Sequence, residues 1–147
     1  MDFLTSRFLP TSRVILIEAD GARGRRVKAP AAYEPVVPSA CSAVIRLISL
    51  DALGAPMNAR AVHRCELFGP LVGCAPGEPL SALHILRLVS SPAGLFKSAP
   101  SRALRLLLLN KADAVPRALA EECARSIITA GACDAVYVGA TGRGAPT

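Results

Sequence analysis

The sequence is poor in aromatic residues and has no long uninterrupted apolar segment. Aromatic residues make up 4% of the 147 residues and Trp is absent, although 52% of the residues are hydrophobic. A core must therefore be built from Leu, Ile, Val and Ala. No run of about 18 uncharged apolar residues exists, which argues against a transmembrane helix. The first ten residues contain Asp2 and Arg7 and lack the apolar segment of a secretory signal. We therefore expect a cytoplasmic globular protein with no membrane partner.

Cysteine frameworks are also poorly supported. The chain has five cysteines, an odd number, and none of them forms a Cys-x-x-Cys pair. His63, Cys65 and Cys74 could share a metal ion, but buried free thiols are the more common explanation for such cysteines.

Lysine is scarce, and the formal net charge of +6 comes mainly from arginine. Most basic residues are scattered along the chain, so we do not expect nucleic-acid binding. The dense exception consists of Arg23, Arg25, Arg26 and Lys28. This cluster is equally consistent with contacts to phosphate groups and with a solvated charged loop.

Short apolar runs and helical segments alternate along the chain. This order predicts an α/β fold, in which a parallel sheet has flanking helices. We expect one partial nucleotide-binding domain over residues 1–147, with an irregular, switch-like insertion at 22–43 that its prolines keep from forming a long helix. The predicted strands cover residues 14–17, 44–50, 104–109 and 135–138; the predicted helices follow Ser81 and Pro116, and a short helix is one interpretation of residues 62–68.

Polar clusters follow three of the predicted strands, at residues 18–21, 110–113 and 139–142. In parallel sheets ligands bind beyond the carboxyl ends of the strands. We therefore expect these clusters to lie on one rim and to form the functional site.

The cluster Asn110-Lys111-Ala112-Asp113 has the form of a guanine-recognition loop. Guanine presents two adjacent donors, and a carboxylate such as Asp113 can accept both, which adenine does not allow. Asn110 can bond the base edge or tie loops together, and the alkyl stem of Lys111 can lie over the ring. The alternative is an ordinary solvated turn.

The cluster Glu18-Ala19-Asp20-Gly21 follows the first predicted strand. Carboxylates in this position can hold Mg²⁺ or orient the hydrolytic water, so Glu18 and Asp20 are the predicted metal-binding and catalytic residues. Gly21 would let a backbone N–H approach a γ-phosphate. The alternative is an acidic turn without a ligand.

A glycine-rich phosphate loop of the form Gly-x-x-x-x-Gly-Lys-Ser/Thr is missing from the 147 residues. Residues 139–144 are glycine-rich, but they follow the last predicted strand. We therefore expect a phosphate-loop NTPase-like domain that is N-terminally truncated, in which guanine recognition is retained and triphosphate hydrolysis lacks a part.

Several short segments, taken in chain order, resemble the YqeC family of selenium-dependent hydroxylase accessory proteins. They are Glu18-Ala19-Asp20-Gly21-Ala22, Lys28-Ala29-Pro30, Glu34-Pro35-Val36-Val37-Pro38, Leu50-Asp51-Ala52-Leu53-Gly54, Val62-His63-Arg64, Glu66-Leu67-Phe68 and Leu109-Asn110-Lys111-Ala112-Asp113.

The resemblance implies a bacterial accessory factor for the maturation of selenium-dependent molybdenum hydroxylases. It also implies a phosphate-loop NTPase that is related to metallochaperone-type GTPases, with GTP or another NTP and Mg²⁺ as cofactors. The implied partners are such a hydroxylase or its cofactor-biosynthesis proteins. A non-catalytic interaction or cofactor-chaperone module derived from such an NTPase remains the alternative. No role for His63 and Arg64 follows from the residues, although a structural hydrogen bond is a more common role for such a His than catalysis.

Overall fold

Two parallel sheets form the framework of the protein in the computed structural model, which describes residues 14–140. The larger sheet has the strand order β2-β4-β5. The smaller sheet pairs β1 with β3. The strands are β1 (Val27–Lys28), β2 (Ala43–Ser49), β3 (Val62–His63), β4 (Leu104–Asn110) and β5 (Ala135–Val138). The α/β fold with a parallel sheet is therefore confirmed, and the leucine-rich strand β4 is central, as its apolarity favours.

Three α-helices accompany the strands in the part of the chain that the structure describes. They are α1 (Cys65–Val72), α2 (Ala82–Ser90) and α3 (Arg117–Thr129), and short 3-10 turns follow β2 and β4 at Leu50–Ala52 and Ala112–Ala114. None of these helices is long and apolar enough to cross a membrane.

Local signals in the sequence set the helix ends. Ser81 caps α2, because its hydroxyl accepts from the His84 N–H at 3.4 Å while His84 Nδ1 accepts from the Ser81 N–H at 3.2 Å. Pro116 is the N-cap of α3, and Gly131 takes a φ of +62° just after this helix ends. The predicted helices after Ser81 and Pro116 are thus confirmed.

The larger sheet is covered on one face only. Leu107 and Leu109 of β4 are fully buried in a core to which α1, α2 and α3 all contribute. Paired residues of parallel strands point to the same side, so Ile45, Leu47 and Tyr137 share the opposite face. These three side chains are between 56% and 60% exposed.

The prediction of a buried strand at residues 14–17 is wrong. This segment forms no strand, and Val14 and Leu16 are 75% and 87% exposed. An apolar run becomes a strand only where a neighbouring strand accepts its backbone hydrogen bonds. Strand β2 is the edge of the larger sheet and does not pair with this segment.

The segment at 22–43 is mostly irregular, and it is anchored to the fold. It contains β1, in which Val27 is buried, and Ala29 donates its N–H to the His63 carbonyl at 3.3 Å. The segment 62–68, which the sequence left ambiguous, divides between the end of a strand and the start of a helix: His63 closes β3 and α1 begins at Cys65.

Candidate functional site

A cavity of about 370 Å³ lies along the edge of β2 and reaches the carboxyl ends of β2 and β4 at Ser49 and Asn110. Glu18, Asp20 and Gly21 line it together with Asn110 and with residues 45–49 of the β2 edge. Two of the polar clusters predicted to share a rim are therefore brought together. Lys111 and Asp113 are not among the residues that line the cavity.

The loop after β4 reaches the third predicted cluster through its backbone. Ala112 donates its N–H to the Gly139 carbonyl at 3.1 Å, so this loop is hydrogen-bonded to the segment that follows β5. Asn110 Oδ1 accepts from the Lys111 N–H at 2.8 Å, and Lys111 takes a left-handed φ of +57°. Asp113 is exposed on the loop. Residues 141 and 142 of the third cluster lie outside the described range.

Asp51 joins this rim, although the sequence analysis gave it no role. It follows β2, and its Oδ2 accepts from Lys111 Nζ at 3.0 Å and lies 3.5 Å from Arg26 Nε. Burial raises the pKa of Asp51, but the neighbouring Ser49 hydroxyl and the Lys111 and Arg26 cations more than offset this, so the pKa lies below its ordinary value. The sequence feature that could have pointed to Asp51 is its position in the segment 50–54, which is one of the segments that carry the family resemblance.

A network of four charged side chains supports the Glu18–Gly21 segment. Lys28 Nζ contacts Asp20 Oδ1, donates to the Gly21 carbonyl at 3.1 Å and donates to Glu34 Oε2 at 2.8 Å. Arg64 donates two hydrogen bonds to the same Glu34 carboxylate, and the bond from Nη2 to Oε1 measures 2.7 Å. The Arg64 guanidinium, with Lys28, holds the pKa of Glu34 at about 2, well below its usual value.

The network divides the basic cluster that the sequence analysis treated as one feature. Lys28 is buried, with 9% of its surface exposed, whereas Arg23, Arg25 and Arg26 are exposed. Arg25 is tethered by its Nε, which donates to the Ala59 carbonyl at 2.7 Å. Lys28 therefore has a structural ion-pairing role, and Arg25 and Arg26 are the arginines of the cluster that line the cavity.

Asp20 and Glu18 differ in how freely they can meet a cation. Asp20 is half-buried and engaged by the Lys28 ammonium, whereas Glu18 is exposed. A Cβ built on Gly21 would lie 3.9 Å from Glu18 Oε1, so that carboxylate lies beside the Gly21 backbone. Of the two predicted metal ligands, Glu18 is the better placed.

His63 and Arg64 separate in role. Arg64 adopts a left-handed φ of +64°, which turns the chain between β3 and α1, and it pairs with Glu34. Burial, followed by the Arg64 and Lys28 cations, lowers the pKa of His63, so its imidazole is neutral at pH 7.

The five cysteines are free thiols. Among residues 14–140, the metal-ligand side chains that come together are Cys74, Glu78 and His84, whose ligand atoms lie within 4.8 Å of one another; His63 and Cys65 are not in this group. His84 Nδ1 accepts the Ser81 N–H, so the ring proton is on Nε2, which faces Glu78 at 3.7 Å. A metal at Nε2 would move the ring proton to Nδ1, which could then no longer accept the Ser81 N–H.

Comparison with known proteins assigns a family. Residues 2–66 match the family model described as YqeC protein. The uncharacterized protein YqeC of Escherichia coli (strain K12) is 36% identical over 121 residues, which are 82% of this chain. This chain belongs to the YqeC family. It spans about half of that relative, 46% of its length. No solved structure matches the chain.

The part of this YqeC-family chain that the family model matches contains most of the geometry described above. The charged network of Asp20, Lys28, Glu34 and Arg64 lies wholly within residues 2–66. The loop at residues 110–113 lies beyond that match. The family match therefore covers the charged network and the Glu18–Gly21 segment, and it does not extend to the loop at residues 110–113.

Proposed function

We propose that this YqeC-family chain is the guanine-nucleotide-binding part of a GTP-dependent accessory factor for the maturation of selenium-dependent molybdenum hydroxylases. The observation that carries the proposal is the meeting of two motifs at one cavity. Asn110, from the loop after the central strand, lines the same cavity as Glu18 and Gly21. A nucleotide spanning this edge would have its base at one motif and its phosphates at the other.

Base recognition belongs to the loop after β4. Asp113 is exposed, and its carboxylate would accept from the two adjacent guanine donors. Asn110 holds the loop through its bond to the Lys111 N–H. Lys111 is oriented by its ion pair with Asp51, so its alkyl stem is available to lie along the base.

The acidic motif would hold Mg²⁺ through carboxylate oxygen, which suits a hard cation. Glu18 is exposed at the cavity and fits that role. Asp20 acts beside it and orients the hydrolytic water, with Lys28 fixing its position. Gly21 offers its backbone to the γ-phosphate, and the bound metal would neutralise phosphate charge.

The proposed physiological context is the maturation of a molybdenum hydroxylase. The link to selenium and molybdenum comes from the family resemblance, and the expected partner is a hydroxylase or a protein of its cofactor biosynthesis. Membership of the YqeC family supports this context, whereas the residues of the cavity support nucleotide binding.

Base selection is tested by titrating the protein with GDP, ADP and xanthosine diphosphate. The parent protein should prefer GDP. Asp113→Asn should prefer xanthosine diphosphate, because an amide donor complements the carbonyl that xanthine carries in place of the exocyclic amine. Asp113→Ala should weaken GDP binding by about tenfold or more. Equal affinity of the parent for GDP and ADP would refute guanine selection by this loop.

A non-catalytic interaction module is the second candidate function. The favouring observation is that Lys28 occupies the Asp20 carboxylate, which a metal-dependent hydrolase would need for water or metal. This candidate predicts that the chain binds its hydroxylase or cofactor-biosynthesis partner equally with and without GTP, and that GTP is not consumed. Binding of the partner that requires GTP, together with phosphate release, would exclude it.

A further inference from the structure

Arg46 is a half-buried cation in the middle of β2, and two nitrogens of its guanidinium are buried without a hydrogen-bond partner among the described residues. It lies opposite Leu107 of β4 in the strand register. Its Nε and Nη2 atoms are inaccessible to solvent, and no acceptor within the described part of the chain is bonded to them. A guanidinium carries five donor hydrogens, so the orphaned atoms represent a large unmet demand for an acceptor.

The neighbouring carboxylate does not meet this demand. Asp20 is close enough to influence Arg46 electrostatically, but it forms no hydrogen bond with Nε or Nη2, and its Oδ1 contacts Lys28 instead. Burial lowers the pKa of Arg46 from its ordinary value, although a guanidinium remains charged at neutral pH. A buried charge without a hydrogen-bonding partner is strongly unfavourable.

The surroundings of Arg46 favour an anion. Three arginines and the carboxylate of Glu18 line the cavity, and the Lys28 and Asp20 that also line it pair with each other. Leu95, Pro30 and Pro35 add apolar walls, which strengthen the field of the cations by excluding water. The planar guanidinium fork matches two oxygens of one phosphate group.

We propose that Arg46 is the anchor of an oxyanion site in this cavity, which receives a phosphate or diphosphate group. The group belongs either to the bound nucleotide or to a free inorganic anion. Only the nucleotide assignment rests on the proposed function, since the anion site follows from Arg46 and the cavity alone.

The test is calorimetric titration of the protein with pyrophosphate, inorganic phosphate, GDP and guanosine, together with thermal unfolding in each ligand. The variants are Arg46→Met, which keeps the aliphatic stem, and Arg46→Lys, which keeps the charge without the fork. Arg105→Met is the matched control. Arg105 lies near the start of β4 and does not line the cavity; its side chain is 41% exposed and pairs with Asp134.

We expect pyrophosphate and GDP to bind the parent and the Arg105→Met control and to raise their melting temperatures. Arg46→Met should bind both ligands about tenfold or more weakly, because hydrogen bonds between charged partners are lost. Without ligand, Arg46→Met should be at least as stable as the parent, since an unmet buried charge has been removed. The affinity of Arg46→Lys for pyrophosphate and GDP should lie between those of the parent and Arg46→Met.

Several outcomes would overturn the site. Unchanged binding of pyrophosphate and GDP by Arg46→Met would do so, and so would the absence of any binding of either ligand by the parent. A parent that ignores anions, with an Arg46→Met variant that is strongly destabilised, would mean that Arg46 only balances Asp20. Arg46→Gln repeats the comparison if the Met variant fails to fold.

The titrations with different ligands also distinguish failure of the oxyanion site from failure of the nucleotide proposal. Arg46-dependent binding of pyrophosphate, without preference for GDP over ADP, would keep the oxyanion site while guanine recognition fails. Guanine preference that survives in Arg46→Met at full affinity would keep the nucleotide proposal while the Arg46 site fails. Binding of guanosine alone would place the ligand's contacts at the base loop only.

Discussion

Glu34 is the residue through which the segment after β1 is tied to β3. It accepts from Lys28 on one strand and from Arg64 beyond the other, and only about a fifth of its side chain is exposed, 21%. Its hydrogen bonds to two cations favour the ionised form. The ionised Glu34 carboxylate therefore contributes to the free energy of unfolding, and this contribution depends on pH.

Protonation of Glu34 should destabilise the protein in acid. Its folded-state pKa of about 2 lies below the ordinary value of 4.5, so its contribution is complete above pH 4.5 and is lost as the pH falls towards 2. Urea unfolding at a series of pH values should show a loss across this window. Glu34→Gln should flatten this loss and cost about 1 kcal/mol at neutral pH.

Glu122→Gln is the control for Glu34→Gln, because Glu122 is an exposed carboxylate on α3. It should leave the acid-dependent loss of stability unchanged. An acid loss in Glu34→Gln as steep as in the parent would show that other carboxylates govern it.

Sequence motifs located several residues of the cavity but not the partners of the charged side chains around it. Glu18, Asp20 and Asn110 were picked out and do line one cavity. The Glu34–Arg64 pair was missed, because its members lie 30 positions apart and no local pattern joins them. The same holds for Lys111 and Asp51, which are 60 positions apart.

At the scale of elements, local sequence signals correctly located the starts of two helices and the central strand. Ser81 and Pro116 mark helix starts, and the run of leucines after residue 103 marks the central strand. Residues 14–17 carry an equally clear strand pattern and fail to form one. Pairing is a property of two segments, and the sequence of one segment does not report whether a partner edge is in place.

The end of α2 offers an element-scale prediction. A Cβ on Gly94 would lie 1.9 Å from the Leu88 carbonyl oxygen, which accepts the Leu95 N–H at 2.9 Å. Gly94→Ala should therefore shift the backbone and lower the free energy of unfolding by about 1–3 kcal/mol. Thermal unfolding measures this, with Gly139→Ala as the control, since nothing lies within 4 Å of its added Cβ. Equal effects of the two substitutions would contradict the close approach.

At the scale of the whole molecule, the described chain has a sheet with one solvent-exposed apolar face. Helices bury Leu107 and Leu109 on one side, while Ile45, Leu47 and Tyr137 stay more than half exposed on the other. The sequence predicted flanking helices but gave no sign that they would gather on one face, because the leucines of β4 read alike on both sides. Contiguous exposed apolar surface of this kind binds apolar molecules.

This face should bind a neutral apolar dye such as Nile red. Replacing Leu104 and Tyr137 with Gln should reduce dye fluorescence, because both side chains lie on that face and are 56% and 59% exposed. Neither lines the cavity, so pyrophosphate binding should persist. The free energy of unfolding should change by only about 0.5 kcal/mol per site, as for other surface positions.

Leu83→Gln is the control, since Leu83 is 50% exposed on α2, away from the sheet face. A loss of fluorescence in Leu83→Gln as large as in the double variant would mean that the dye reports scattered apolar side chains, and the continuous sheet face would then have no special affinity.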